Sequence, residues 1–347
     1  MSPKISLGIA FLLFVLAVVG VKLWMNQPEA SVLNTQVPTE AEPSFDETFH
    51  LYEEQLVQLV EEQDPTAALT ELDRLMQAEP FVLDNCHELL HEIGYASFLK
   101  YETFAAAISY QDDICNSGYF HGVIEQYFGS IDDILPAMEE VCKGETLGTL
   151  QSWECHHGVG HGFMYYSGNN VDQSIIYCEQ YPSLFQASAC VNGVYMEVFN
   201  LDDSTREDRL PETRDPFTYC EEAPSIGRDD CFVYAPTYYL ATHRDDFTGL
   251  MHWCDGALGD DRESCFLGAG SELMKRSMDD PALVERICLT ADSPSDQDCL
   301  TGAVSQAVFH LADLNQVLNT VCSAWSLTNQ VDCFEQAQSI AQTYSVP

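Results

Sequence analysis

The spacing of the cysteines constrains this chain more than any other feature of its sequence. The chain has 14 cysteines, and eight of them form two series in which each member lies 34 residues after the previous one. The first series is Cys231, Cys265, Cys299 and Cys333, and the second is Cys220, Cys254, Cys288 and Cys322. A fixed period of this length is typical of stacked repeats, and 34 residues suit a pair of helices.

The residues around each series indicate which helix of the pair the cysteine belongs to. An apolar stretch follows each first-series cysteine, as in 299–309, and we expect a long helix A there. An acidic residue or serine stands directly before it, which predicts a helix N-cap at that position. Second-series cysteines end shorter amphipathic stretches such as 281–288, which we predict to be helix B.

The two series predict a disulfide between the end of each helix B and the start of the next helix A. The distance from a helix B cysteine to the next helix A cysteine is 11 residues in the four later repeats and 12 or 13 residues in the two earlier ones. The predicted pairs are Cys142–Cys155, Cys178–Cys190, Cys220–Cys231, Cys254–Cys265, Cys288–Cys299 and Cys322–Cys333. Each should stabilise the fold by about 2–3 kcal/mol and indicates an oxidising compartment. Cys86 and Cys115 lack such a partner and either bond to each other or stay free.

Glycine recurs three positions after the helix A cysteine in five repeats. A glycine inside a helix costs up to about 1 kcal/mol relative to alanine, so its recurrence predicts a close approach of two helix backbones. The five residues are Gly118, Gly158, Gly193, Gly268 and Gly302.

These patterns predict an all-α domain at 48–347, an α/α repeat solenoid of about seven helix pairs stapled by disulfides. Histidine-rich repeats occupy about 86–166 and scaffold repeats about 190–344. From about residue 64 to 344, the period and the two-helix unit resemble the Sel1-like and tetratricopeptide helical-repeat proteins. That resemblance implies an interaction scaffold that binds a protein partner on its repeat surface without any metal.

The N-terminus predicts attachment to a membrane. Residues 5–21 carry no charge, with Lys4 before them and Lys22 and Trp24 after them. We therefore expect a transmembrane signal anchor at 1–25, with a cleaved signal peptide as the alternative, and a flexible linker at 26–47. The protein would be a single-pass cell-membrane protein with its folded domain in the periplasm or extracellular space. The net charge of −41 argues against nucleic-acid binding.

Three consecutive repeats carry polar pairs spaced four residues apart on helix A. Residues at i and i+4 project from one helix face, and such pairs commonly present two ligands to a metal. We expect equivalent positions of stacked helices to converge, which predicts a site for zinc, copper, iron or manganese. The candidate ligands are His87, His91, His121, Glu125, His157 and His161. Glu88, Glu92 and Glu197 are candidates for further ligands, for hydrogen-bond partners of the ligands, or for a general base.

The remaining histidines are interpreted as surface or packing residues. His156 should point away from the His157/His161 face, and the other four lie outside the histidine-rich helices. Those four are His50, His243, His252 and His310.

The segment 87–94 also reads HExxHxxG, which resembles the start of the metzincin metalloprotease motif. That resemblance implies a zinc-dependent hydrolase, with His87 and His91 as zinc ligands and Glu88 as the general base. The sequence departs from the motif where the third ligand would fall, because Ser97 occupies that position.

Overall fold

The computed structural model describes residues 44–111, 114–199, 215–243 and 246–346. Throughout these residues the regular secondary structure is helical, with 18 α-helices and no strand. The all-α prediction is therefore confirmed. The predicted membrane anchor at 1–25 and the linker up to residue 43 lie outside the described residues. Among the helices of the described part, none combines the length and apolar character needed to cross a membrane.

Four helices lie outside the alternation of long and short helices described below. Three of them precede the first cysteine, and the fourth, a short one, lies between Cys86 and Cys115. They are α1 (Phe45–Glu62), α2 (Pro65–Met76), α3 (Pro80–Asp84) and α5 (Phe104–Ala107). The first three residues of helix α1 overlap the end of the predicted linker at 26–47. Its start is stabilised by a capping box, in which Ser44 accepts from the backbone of Glu47 and the Glu47 carboxylate accepts from the backbone of Ser44.

Long and short helices then alternate along the chain. The long helices are α4 (Cys86–Tyr101), α6 (Ile114–Gly129), α8 (Leu150–Tyr166), α10 (Leu184–Phe199), α12 (Arg228–Thr242), α14 (Asp260–Arg276), α16 (Ser295–Leu311) and α18 (Leu327–Tyr344). The short ones are α7 (Ile134–Val141), α9 (Val171–Cys178), α11 (Pro216–Glu221), α13 (Phe247–Cys254), α15 (Pro281–Cys288) and α17 (Leu314–Thr320). They correspond to helices A and B of the predicted repeat.

All six predicted disulfides are present, and they join each short helix to the next long one. Cys86 and Cys115 also pair, joining α4 to α6. The cysteines and the apolar residues around them form the buried core between the two sets of helices. The covalent framework therefore follows the repeat in six pairs and departs from it in one.

The predicted N-caps directly before the cysteines are wrong. Helices α12, α14, α16 and α18 begin three to six residues earlier than their cysteines, so Asp230, Ser264, Asp298 and Asp332 lie inside them. In α12, α14 and α16, acidic residues in the first turn, such as Asp229 and Asp296, favour this start because they interact with the helix dipole.

The close helix approach predicted from glycine is confirmed. A Cβ atom at Gly193 would lie 2.0 Å from the carbonyl oxygen of His157, and one at Gly268 would lie 1.9 Å from that of Val233. Consecutive long helices pack in chain order from α4 to α18.

Later long helices also contact the early ones. Helix α16 contacts α6, and Lys275 of α14 forms a 2.6 Å ion pair with Glu88 of α4. The seven long helices from α4 to α16 all contribute residues to a central pocket of about 250 Å³. Residues from distant repeats therefore face one another across this pocket.

Candidate metal centre

Two imidazole pairs face each other at the centre of the site. On α4, the Nε2 atoms of His87 and His91 are 3.1 Å apart. On α8, the Nε2 atoms of His157 and His161 are 2.8 Å apart. All four side chains are buried. The i,i+4 spacing therefore brings the two rings of each pair together, as the sequence predicted.

His121 of α6 lies between the two pairs and is fully buried. Its ring centroid is 5.5 Å from that of His91 and 5.0 Å from that of His161. The centroids of His91 and His161 are 5.3 Å apart. The predicted convergence of these three histidines is therefore observed. One nitrogen from each of His87, His91 and His121 lies within 4.8 Å of the others, and the same holds for His121, His157 and His161.

The outer nitrogen of each paired histidine faces an oxygen atom. His87 Nδ1 lies 2.7 Å from the carbonyl oxygen of Cys115, and His161 Nδ1 lies 2.6 Å from Glu197 Oε1. His91 Nδ1 lies 3.2 Å from Glu125 Oε1. Metal-bound histidines usually donate their other ring N–H to a carboxylate or carbonyl in this way.

Asn192 determines the tautomer of His157. Asn192 donates through Nδ2 to Asp230 at 2.7 Å and accepts through Oδ1 from the Tyr234 hydroxyl at 2.9 Å. The amide orientation is thereby set by its other partners. The same Oδ1 lies 2.8 Å from His157 Nδ1, so this nitrogen must donate and Nε2 must carry a lone pair.

The same reasoning applies to His87 and His161, since their Nδ1 atoms face a backbone carbonyl and a carboxylate. In the His157/His161 pair two Nε2 lone pairs then point toward each other at 2.8 Å. Lone pairs at this distance repel unless a cation lies between them. Two nitrogen ligands of a tetrahedral metal with bonds of about 2.0–2.1 Å are about 3.3 Å apart, which is close to the observed separations.

Burial disfavours protonation of these nitrogens, so a proton does not readily serve as that cation. Desolvation, followed by repulsion from His91, lowers the pKa of His87 to about 3. Desolvation and the neighbouring imidazoles also hold the pKa values of His121 and His157 well below their usual range. These three histidines therefore remain neutral at physiological pH, which is the form that binds metals.

The carboxylates of Glu125 and Glu197 complete the site. Glu125 Oε1 lies 3.7 Å from His161 Nδ1 as well as close to His91, and its other oxygen accepts from the hydroxyl of Tyr95. One atom each from His91, Glu125 and His161 also lies within 4.8 Å of the others. Both glutamates are buried at the positions that the sequence predicted for a ligand and for a hydrogen-bond partner.

Glu154 belongs to the site but was missed from the sequence. Its carboxylate lies 3.7 Å from His121 Nε2, and its backbone carbonyl accepts from the same nitrogen at 3.1 Å. The Nδ1 atom of His121 is buried and has no hydrogen-bond partner among the described residues. Glu154 lies four residues before Gly158, so both lie on the face of α8 that packs against His121. No spacing in the sequence indicated this contact.

Two of the candidate carboxylates lie elsewhere. Glu88 accepts from Lys275; burial raises its pKa, but the attraction of Lys275 outweighs burial and lowers it to about 2. It is therefore a weak base. Glu92 faces a surface groove that Glu61 and Lys100 also line. Ser97 donates to the carbonyl of Ile93 in its own helix at 2.6 Å.

The other five histidines lie outside the imidazole cluster. His156 packs on Tyr181 and contacts the carbonyl of Ser152 at 2.6 Å, away from the cluster as predicted. His50, His243 and His252 are exposed. His310, however, lines the central pocket and is buried against the Cys86–Cys115 disulfide. The repeat period could not reveal this contact, because 195 residues or more separate the partners.

The central pocket leads to the cluster, since His87, His157 and Glu154 contribute to its lining. Its remaining lining mixes apolar side chains such as Trp153 with polar ones such as Ser271. A metal ion or a small molecule would reach the histidines from this side.

Compared with protein-family models, curated proteins and solved structures, this chain matches none of them. Its function must therefore be argued from the site itself.

Proposed function

We propose that this protein binds transition-metal ions through the imidazole pairs at its centre. The observation that carries the proposal is the close approach of two Nε2 atoms within each imidazole pair. The outer nitrogens of His87, His157 and His161 lie at hydrogen-bond distance from oxygen atoms, which holds these rings in place. The burial of all five histidines and the lowered pKa values of His87, His121 and His157 support the same conclusion.

The proposal places one ion at each imidazole pair. His87 and His91 hold the first, His157 and His161 hold the second, and His121 lies within reach of both. Glu125 stands between His91 and His161 and is the carboxylate best placed to join the ligands. Imidazole and carboxylate ligands suit zinc, copper, iron or manganese.

The proposal includes the architecture and compartment expected from the sequence. The domain is then an α/α repeat array of about seven helix pairs, wound so tightly that its later helices meet its first ones. The anchor at 1–25 holds it outside the cytoplasm, where its disulfides persist. The central pocket gives small molecules access to the ions. A redox-active metal would then indicate an oxidase or electron-transfer role, and zinc would indicate hydrolysis or a structural role.

Elemental analysis of the protein purified from its own membrane tests the proposal. We expect up to two equivalents of one transition metal, and an extended X-ray absorption spectrum dominated by nitrogen ligands at about 2.0–2.1 Å. Binding should weaken at low pH, because protons compete for the same nitrogens.

Changing His161 to Ala should remove the second ion and lower metal content by about half or more. His243→Ala changes an exposed histidine outside the cluster and is the matched control. A His161→Ala protein that folds and retains the metal content of the wild type would refute the proposal. A protein that binds no metal would instead favour the interaction scaffold with histidines as packing residues.

A further inference from the structure

The disulfide Cys86–Cys115 differs from the other six in what it connects. It joins the first residue of α4 to the start of α6, so it links two long helices that carry histidines of the cluster. Its cysteines are 29 residues apart, whereas the repeat disulfides span 11 to 13 residues. Its role is therefore not the closure of a loop between a short and a long helix.

Soft metal ligands surround this disulfide. Nε2 of His310 lies 3.7 Å from Sγ of Cys86 and 3.9 Å from Sγ of Cys115. The thioether sulfur of Met76 lies 3.9 Å from Sγ of Cys115. Both cysteines are fully buried and His310 is nearly so. Helices α2, α4, α6 and α16 thus bring two sulfurs, one imidazole and one thioether to a single place.

These separations are van der Waals contacts that also lie close to the ligand–ligand distances of a metal site. With metal–sulfur bonds of about 2.3 Å and metal–nitrogen bonds of about 2.0–2.1 Å, tetrahedral ligands lie about 3.6 Å apart. The imidazole nitrogen already stands near this distance from both sulfurs. Thiolate and thioether ligands favour copper in its Cu(I) state.

We propose that the Cys86–Cys115 disulfide is reducible, and that the reduced pair forms a Cu(I) site with His310. Met76 supplies the fourth ligand. A small dithiol reductant breaks the sulfur–sulfur bond, transfers two electrons and two protons to the cysteines, and becomes a cyclic disulfide itself. Binding of Cu(I) then releases the two thiol protons.

The central pocket provides the route to this site. His310 and Asn116, the neighbour of Cys115, both line it. The new site also adjoins the imidazole cluster, because the carbonyl of Cys115 faces His87 Nδ1 at 2.7 Å. Opening the disulfide therefore acts directly on a hydrogen bond that orients one of the clustered histidines.

Limited reduction of the full-length protein with dithiothreitol, followed by alkylation and peptide mapping, tests the first half of the proposal. We expect Cys86 and Cys115 to be alkylated before any other pair. Earlier opening of one of the six repeat disulfides would overturn the proposal.

Competition with the chromophoric chelator bicinchoninate, under anaerobic conditions, tests the second half. The reduced protein should bind one more equivalent of Cu(I) than the oxidised protein. His310→Leu keeps both cysteines and should weaken this extra equivalent at least about tenfold, whereas His252→Leu, at an exposed histidine, should not. Met76→Leu should weaken it less. Equal copper binding by oxidised and reduced protein, or by His310→Leu and wild type, would overturn the proposal.

Discussion

Single side chains outside the imidazole pairs decide which nitrogen each histidine presents. Asn192 is the clearest case, because its hydrogen bonds to Asp230 and Tyr234 force it to accept from His157. Burial raises the pKa of the Asp230 carboxyl to about 7, although the hydrogen bond from Asn192 opposes this. The polar chain that orients His157 thus ends in a carboxyl group that is costly to ionise.

Asp230→Asn should make the protein more stable above pH 7. In the unfolded chain the carboxyl ionises near pH 3.9, whereas in the folded protein it stays neutral up to about pH 7. The wild type therefore loses stability as pH rises between these values, and the loss is complete above the higher one. In urea unfolding, the gain for Asp230→Asn should be larger at pH 8 than at pH 5 by roughly 2–3 kcal/mol. An equal gain at both pH values would contradict this origin.

Glycine sets the distance between the helices that carry the site. A Cβ atom at Gly122 of α6 would lie 2.2 Å from the carbonyl oxygen of His91 on α4. No side chain fits at that distance, so the two helices would have to separate. The hydrogen bonds and ring contacts between α4 and α6 depend on this approach.

Gly122→Ala should therefore impair the site as well as the fold. We expect a loss of about 1–3 kcal/mol in the free energy of unfolding, together with weaker metal binding. Gly268→Ala makes the same kind of clash between α12 and α14, where a Cβ atom would lie 1.9 Å from the Val233 carbonyl oxygen. It should cost similar stability but leave metal affinity within about twofold. Parallel thermal unfolding and metal titrations would separate the two effects, and equal metal affinities for both variants would contradict the prediction.

At the scale of the whole molecule, an ion pair joins a late long helix to an early one beside the central pocket. The ion pair of Lys275 with Glu88 joins α14 to α4, and both side chains are mostly buried, at 21% and 17% exposure. Burial lowers the pKa of Lys275, but attraction to Glu88 and Glu272 outweighs it, so the lysine stays charged. Removing one partner would leave the other charge buried without compensation.

Lys275→Met should lower the free energy of unfolding by about 3–5 kcal/mol, and the double change with Glu88→Gln should recover part of the loss. The surface pair Lys143 and Glu140 is the control, because its side chains are 69% and 66% exposed and Lys143→Met should have no measurable effect. Chemical unfolding of the four proteins measures this. Similar losses in the free energy of unfolding for Lys275→Met and Lys143→Met would show that the contact between α14 and α4 does not depend on the ion pair.

Local periodicity explains why so much of the fold could be predicted. The helical class, the six repeat disulfides and the pairing of His87 with His91 and of His157 with His161 depend on spacings of at most 13 residues. At that range the geometry of a helix or of a helix–loop–helix unit leaves few alternatives. The helix starts were wrong at the same range, because an acid before a cysteine suits either a cap or a first turn.

By itself, then, the sequence determined the elements, the covalent framework of the repeats and the faces on which the histidines lie. Only the tertiary structure decided that Cys86 pairs with Cys115, that Glu154 reaches His121, and that His310 and Lys275 meet the first long helix. Those contacts join helices that lie far apart along the chain. They depend on the angles at which successive long helices pack, and no spacing in the sequence records these angles.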